Sequence, residues 1–275
     1  MVEHSLWERV AVGSNPIIPI MKIQFYTHEI HRETIPEPVP ASKVFPEWYS
    51  SIELESRPLF EVDGNEITRP GGGSIKRCPG VQDIMKTGYI LRSWEDFVFR
   101  ESDNGELFIN WLNDASCFET YCGFHDVDQT PNIPNKPLYH GYHKIPSPWM
   151  VKTDPGVSIM ILDPYWHNKT NFTTVHGIIH SDVTPFNIQW FFEWKYKITT
   201  GMSSDIDEKN QLVKYGDPLM LLVPFRRESF EMDCNYVSET EWIRMQNVYR
   251  NNALDRVGSK CPYVKFRQTI GNLFR

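Results

Sequence analysis

No run in this chain of 275 residues approaches the ~18 consecutive apolar residues that a membrane-spanning helix needs. A basic surplus is lacking too: 28 Lys and Arg stand against 35 Asp and Glu, a net charge of −7. A free-standing nucleic-acid binder draws its affinity from a basic face that releases counterions, so that class is disfavoured. Cysteine is sparse and unpatterned. Cys78, Cys117, Cys122, Cys234 and Cys261 are odd in number and form no Cys-x-x-Cys pair. Neither a disulfide framework nor a zinc ribbon is indicated, and a reduced intracellular compartment is expected. The basic-then-apolar order of a signal peptide is also missing, because NPIIPIM is short and broken by Pro16 and Pro19.

What the chain has in quantity is aromatic surface. Aromatics make up 13% of it, with nine Trp, inside a hydrophobic fraction of 40%. That composition suits sheet faces covered by large side chains. IQFYTHEI (23–30) alternates as a strand does, and GYILRSW (88–94) and GELFINWL (105–112) read likewise, with a turn in ESDNGE between them. KIPSPWMVKT, VSIMILDPYW, TTVHGIIH, FNIQWFFEWKYKI and DPLMLLVPFRR then follow as a dense series of strands. Between residues 30 and 50 the prolines crowd, and PEWYSSI can open a short helix at Pro46. RPGGGSIKRCPG (69–80) reads as a loop or hairpin, since Lys76 is misplaced for a phosphate loop. Near the end, Ser238 or Thr240 can cap a helix that carries Trp242, Met245, Val248 and Tyr249 and stops by Gly258.

Several places could carry chemistry. His180-Ser181-Asp182 has the spacing of the first two ligands of a non-haem iron site, but no His follows His180 to complete a facial triad. The bland reading is a tight turn between core strands. His125 and Gln129, in a polar run with Asp126 and Asp128, could meet a ligand or lie in a solvated loop. Arg77, a candidate ligand-binding residue, stands beside Cys78 after the glycine run; the cations before Cys78 could favour its thiolate, but with no base partner in view a buried, inert thiol is expected. Arg226 and Arg227 end the last strand and could grip a carboxylate or phosphate, or pair with neighbouring acids. Trp190, Phe192 and Trp194 share one strand face, which favours core or subunit interface over base stacking.

PASKVFPEWY (40–49), SIKRCPGVQDIMKTGYIL (74–91), PWMVKTDPGVSIMILDP (148–164), GIIHSDV and GDPLMLLVPFRRE together resemble an uncharacterised family of cyanophage, marine-phage and bacterial proteins. The family label implies no activity. The order Asp154-Pro155-Gly156, Gly177-Ile178-Ile179-His180-Ser181-Asp182, Gly216-Asp217-Pro218-Leu219 is also similar to the core of dUTPases and dCTP deaminases. That resemblance implies a β-clip barrel, usually trimeric. It departs where chemistry matters. His180 takes the place of the water-activating aspartate and Val183 stands where the Tyr is expected. The phosphate-holding segment falls at Asp163–Trp166, and Leu222 takes the place of a Gln.

The fold expected is mainly β, a sandwich or β-clip barrel, with a Pro-rich N-terminal segment around it. Residues 1–20 would be an extension, 21–235 one β-rich domain, and 236–275 a helical element packed on it. The leading functional reading is a non-enzymatic, self-associating phage-type protein, a virion component or host-modulating factor. It needs no cofactor or metal. Its partners would be copies of itself, three where the barrel resemblance holds, or a virion or host protein, and neither membrane nor nucleic acid. Its place would be the host cytoplasm or the virion. One alternative is a nucleotide- or small-molecule-acting enzyme with His180 as base, Asp182 as its orienter and Arg226 or Arg227 holding the anion. A second is a cupin-like metal-dependent oxygenase.

Overall fold

The computed structural model describes residues 21–54, 59–62, 65–68, 74–101, 107–111, 123–125, 142–167, 172–184, 186–194 and 210–254. It is mainly β. The strands in chain order are β1 (Ile23–Tyr26), β2 (Val39–Pro40), β3 (Leu59–Val62), β4 (Asn65–Thr68), β5 (Tyr89–Arg92), β6 (Phe97–Glu101), β7 (Leu107–Trp111) and β8 (Gly123–His125). They continue as β9 (Tyr142–Thr153), β10 (Val157–Leu162), β11 (Phe172–Thr174), β12 (Gly177–Ile179), β13 (Phe186–Trp194), β14 (Asn210–Val213) and β15 (Pro218–Arg226). Among the described residues three α-helices accompany them: α1 (Glu47–Ser51), α2 (Pro79–Lys86) and α3 (Glu239–Leu254).

Two five-stranded antiparallel sheets form the body. One runs β1-β9-β13-β11, with β8 also on β9, and the other runs β12-β10-β15-β5-β2. A third sheet, β14-β6-β7, and the β3-β4 hairpin complete the set. Each is an open path among the described residues, so the closed-barrel form of the expectation gives way to packed open sheets. The reason lies in the connections. TTVHGIIH reads as one strand, but the chain leaves the first sheet after Thr174 and joins the second at Gly177. Asp154-Pro155-Gly156 likewise hands the chain from β9 to β10. Pro155 is the second residue of that turn and Gly156 the third, at φ +80°, while the Val157 N–H reaches Asp154 O at 3.1 Å. A type II turn requires that order.

All three larger sheets feed one core. Trp190 and Phe192 of β13 stack with centroids 4.2 Å apart, and Phe97 and Phe99 of β6 pack against Trp190. Leu91, Ile159, Ile179, Met220 and Leu222 close this cluster from the second sheet. The core reading of the Trp190–Phe192 face thus matches the structure, while the Trp194 side chain lies outside the described residues. The alternate residues of the second sheet, Ile90, Leu162, Leu221 and Val223, turn to its other face and form a smaller cluster with Ala41 and Val44. That second face is where the cleft described below is found.

Three expectations need correction. FVFRE, left out of the strand reading, is β6. RPGGGSIKRCPG (69–80), read as loop or hairpin, ends inside α2, whose start at Pro79 is where proline fits a first helical turn. The C-terminal helix exists, capped by Ser238 Oγ accepting from Glu241 N at 3.3 Å, but its described part does not pack on a sheet edge. From Arg226 to Asn247 every residue is exposed except Glu241 and Gln246, which are partly covered. Trp242 and Met245 of the expected apolar stripe are thus exposed, and the side chains of Val248 and Tyr249 lie outside the described residues.

Candidate functional site

The turn after β12 is built by buried contacts. Ser181 is fully buried, and its Oγ is 2.8 Å from Thr153 Oγ1. The N–H groups of Val183 and Thr184 both reach His180 O. This pins Asp182 toward the start of β10 and the end of β15. Its Oδ2 accepts from Gly156 N at 2.8 Å. Arg227 meets it with both guanidinium nitrogens, Nη1 to Oδ1 at 2.7 Å and Nη2 to Oδ2. The Asp182 side chain is 5% exposed and that of Arg227 is 32% exposed. The hydrogen bonds from Arg227, before any other cause, hold the Asp182 carboxyl far below the ordinary carboxylate range.

The same guanidinium fixes His180. Arg227 Nη1 donates to Ser158 Oγ at 2.7 Å, so the serine's own proton points to His180 Nδ1 at 2.8 Å. The network therefore assigns the ring proton to Nε2. His180, Asp182 and Arg227 converge, as the sequence reading grouped them. Their roles differ from that grouping. Arg227, not His180, is the partner of Asp182, and the basic nitrogen of His180 faces a buried serine. Arg227 N also donates to Gly156 O at 2.9 Å. The cluster ties the ends of three neighbouring strands, β12, β10 and β15, in one place.

The other named residues lie apart. Arg226 pairs with Glu228 at 3.5 Å, both side chains about half exposed. Arg77 ends the short 3-10 turn Ile75–Arg77 and is exposed. His125 lies on β8 with its side chain outside the described residues, and Gln129 is outside them entirely. Among the described residues no three His, Cys, Asp or Glu side chains gather as a metal set. Nor is any described helix long and apolar enough to cross a membrane.

A cleft of about 430 Å³ opens on the outer face of the second sheet. Ile90, Leu162 and Leu221 supply its strand side, and Ile84 and Met85 of α2 supply a second wall. The turn Tyr165–His167 after β10 makes a third. Trp48 Nε1 donates to Trp166 O at 2.7 Å, and the two indoles lie 5.9 Å apart, so α1 braces that wall. Polar groups are few: Asp163, His167, Thr173 and His176. Asp163 Oδ1 accepts from Thr174 N at 2.8 Å. Sequence reasoning missed this site because its lining comes from six separated segments. The one local signal was the acidic, bulky stretch Asp163–Trp166.

No family model matches the chain, and no curated protein matches it, so the resemblance to the uncharacterised phage family has no counterpart there. Among solved structures the chain is similar to the dUTPase from phage phi11 of S. aureus at 14% identity, over 56% of this chain and 85% of that one, with a TM-score of 0.33. A variant of the phage phi11 enzyme gives 14% identity, the same coverages and a TM-score of 0.32. The Staphylococcus bacteriophage 80alpha dUTPase, in a variant with dUpNHpp, gives 11% identity over 56% of this chain and 78% of that one, with a TM-score of 0.31.

Proposed function

We propose that this chain is a non-enzymatic protein that assembles with copies of itself through the segment following β15. One observation carries the reading. Phe230, Met232 and Tyr236 are 89%, 86% and 99% exposed. Trp242, Ile243 and Met245 are exposed just beyond them. Phe230, Met232, Cys234 and Tyr236 are spaced by two, the spacing that would place side chains on one face were the segment to pair as a strand. Covering one large apolar side chain contributes ~1.5–3 kcal/mol. A contiguous apolar patch left in water marks a surface that binds something.

The chemistry of the turn cluster supports the non-enzymatic part. The charges of Asp182 and Arg227 satisfy each other, and His180 would have to break its bond with Ser158 to act as a base through Nδ1. The sequence resemblance to marine-phage proteins is the ground for expecting the assembly in a virion or on a host target.

Native mass spectrometry across a concentration series tests this. The full chain is expected in two or more copies, and the trimer that the barrel resemblance implies is one such outcome. Phe230→Ser with Met232→Ser is expected to shift the population to monomer with unchanged circular dichroism. A wild type that stays monomeric at every concentration, or a variant that assembles as well as wild type, refutes the proposal.

A further inference from the structure

The geometry points to a small-molecule site in the cleft beneath α2, one that takes a monocation with an apolar or aromatic body. Its volume of about 430 Å³ lies in the range of small-ligand pockets, and its walls are mostly apolar with few polar groups, as in such pockets. Asp163 is the one lining residue with a formal charge at pH 7, His being counted neutral. Its Oδ1 is used by Thr174 N, and its other oxygen has no hydrogen bond among the described residues. Thr173 Oγ1 is buried in the same wall and has no hydrogen-bond partner among the described residues.

Charge decides the ligand class. A carboxylate or phosphate entering here would meet Asp163 at close range, whereas an ammonium would be attracted. The aromatic wall at Tyr165 and Trp166 adds to the preference, because ring faces attract cations. The exposed arm after β15 is not the occupant. Glu228, Glu231 and Asp233 make it acidic, so it would carry like charge toward Asp163.

Titration calorimetry of the full chain with three indole probes tests the inference: tryptamine, neutral 3-ethylindole and anionic indole-3-propionate. Tryptamine is expected to bind about tenfold or more tighter than indole-3-propionate. Asp163→Asn keeps an oxygen for Thr174 N but loses the charge, and it should remove that preference while leaving 3-ethylindole binding unchanged. Ile84→Trp, at a partly exposed wall position, should fill the cleft and abolish binding of all three. Equal affinities for cation and anion, or no binding of any probe at millimolar concentration, overturns the proposal. So does tighter tryptamine binding in the Phe230→Ser, Met232→Ser variant, which would place the arm in the cleft.

Discussion

Gly88 to Ala is the substitution whose cost the structure specifies best. Gly88, Gly156 and Gly216 all hold positive φ, at +75°, +80° and +86°. An alanine in that region costs ~1–2 kcal/mol through its own backbone. Space separates the three. A Cβ at Gly156 or Gly216 meets nothing within 4 Å, but at Gly88 it would sit 2.3 Å from Leu222 O and 3.2 Å from the Val223 Cα. A carbon resting on a carbonyl oxygen needs about 3.3 Å, so β5 and β15 would have to separate by roughly 1 Å. The pairing of Tyr89 with Leu222 and Ile90 with Leu221 lies right there. Losing one or two ladder bonds at ~0.5–1.5 kcal/mol each brings the cost of Gly88→Ala to about 2–5 kcal/mol. Gly156→Ala and Gly216→Ala stay near ~1–2 kcal/mol. Urea unfolding at constant m-value measures all three as shifts in midpoint. If Gly88→Ala unfolds at the same midpoint as Gly156→Ala, the close approach of β5 to β15 is not as described.

Further outcomes are expected. Trp190→Ala should cost ~3–5 kcal/mol, since the side chain is fully buried among four rings. Trp190→Phe should cost clearly less in the same urea assay, because it also removes a buried indole N–H with no hydrogen-bond partner among the described residues. Asp182 has a lower pKa folded than unfolded, where a value near ~3.9 applies. Its contribution is complete above about pH 4 and is lost as the pH falls below it. Arg227→Met should therefore flatten the fall in stability between about pH 4 and 2, read by urea titration at several pH values. An unchanged acid limb would refute the pairing. Cys234 lies on the exposed arm. Its labelling by a thiol reagent should slow as protein concentration rises, while labelling of the exposed Cys78 should not. Equal concentration dependence would argue against burial of the arm between copies.

Period-two patterning made the core faces readable wherever one face of a strand is wet or weakly packed. Trp190 and Phe192 could be placed together from spacing alone. The same rule failed at TTVHGIIH, because alternation carries no mark of the point where a chain changes sheets. Proline misleads in a different way. Pro146 and Pro148 argue for an edge strand, yet β9 lies inside the sheet; among the described residues β1 pairs with it only from Met150 to Thr153 and β8 only from Tyr142 to Lys144, so the stretch with the prolines is open on that side. They are tolerated beside a break in register between Asn187 and Gln189, where Gln189 faces Pro146. A ladder interrupted there does not need every donor.

The sites divide along the same line. His180 and Asp182 are two residues apart and were readable as a pair. What they do depends on Arg227, 45 positions beyond Asp182, and on Ser158 in a strand between them. A two-residue spacing holds the ligands of a metal and the corner of a turn equally well. The distinction comes from which charge the fold brings opposite, and the fold brings a guanidinium. The cleft depends even more on assembly. Its strand side exists only because β10, β15 and β5 lie adjacent and turn Leu162, Leu221 and Ile90 away from the main core. Such a face stays apolar because another element, another chain or a ligand covers it. Here α2 and the Tyr165–His167 turn cover its margins and leave a gap with one carboxylate in it, the gap in which the monocation site is proposed.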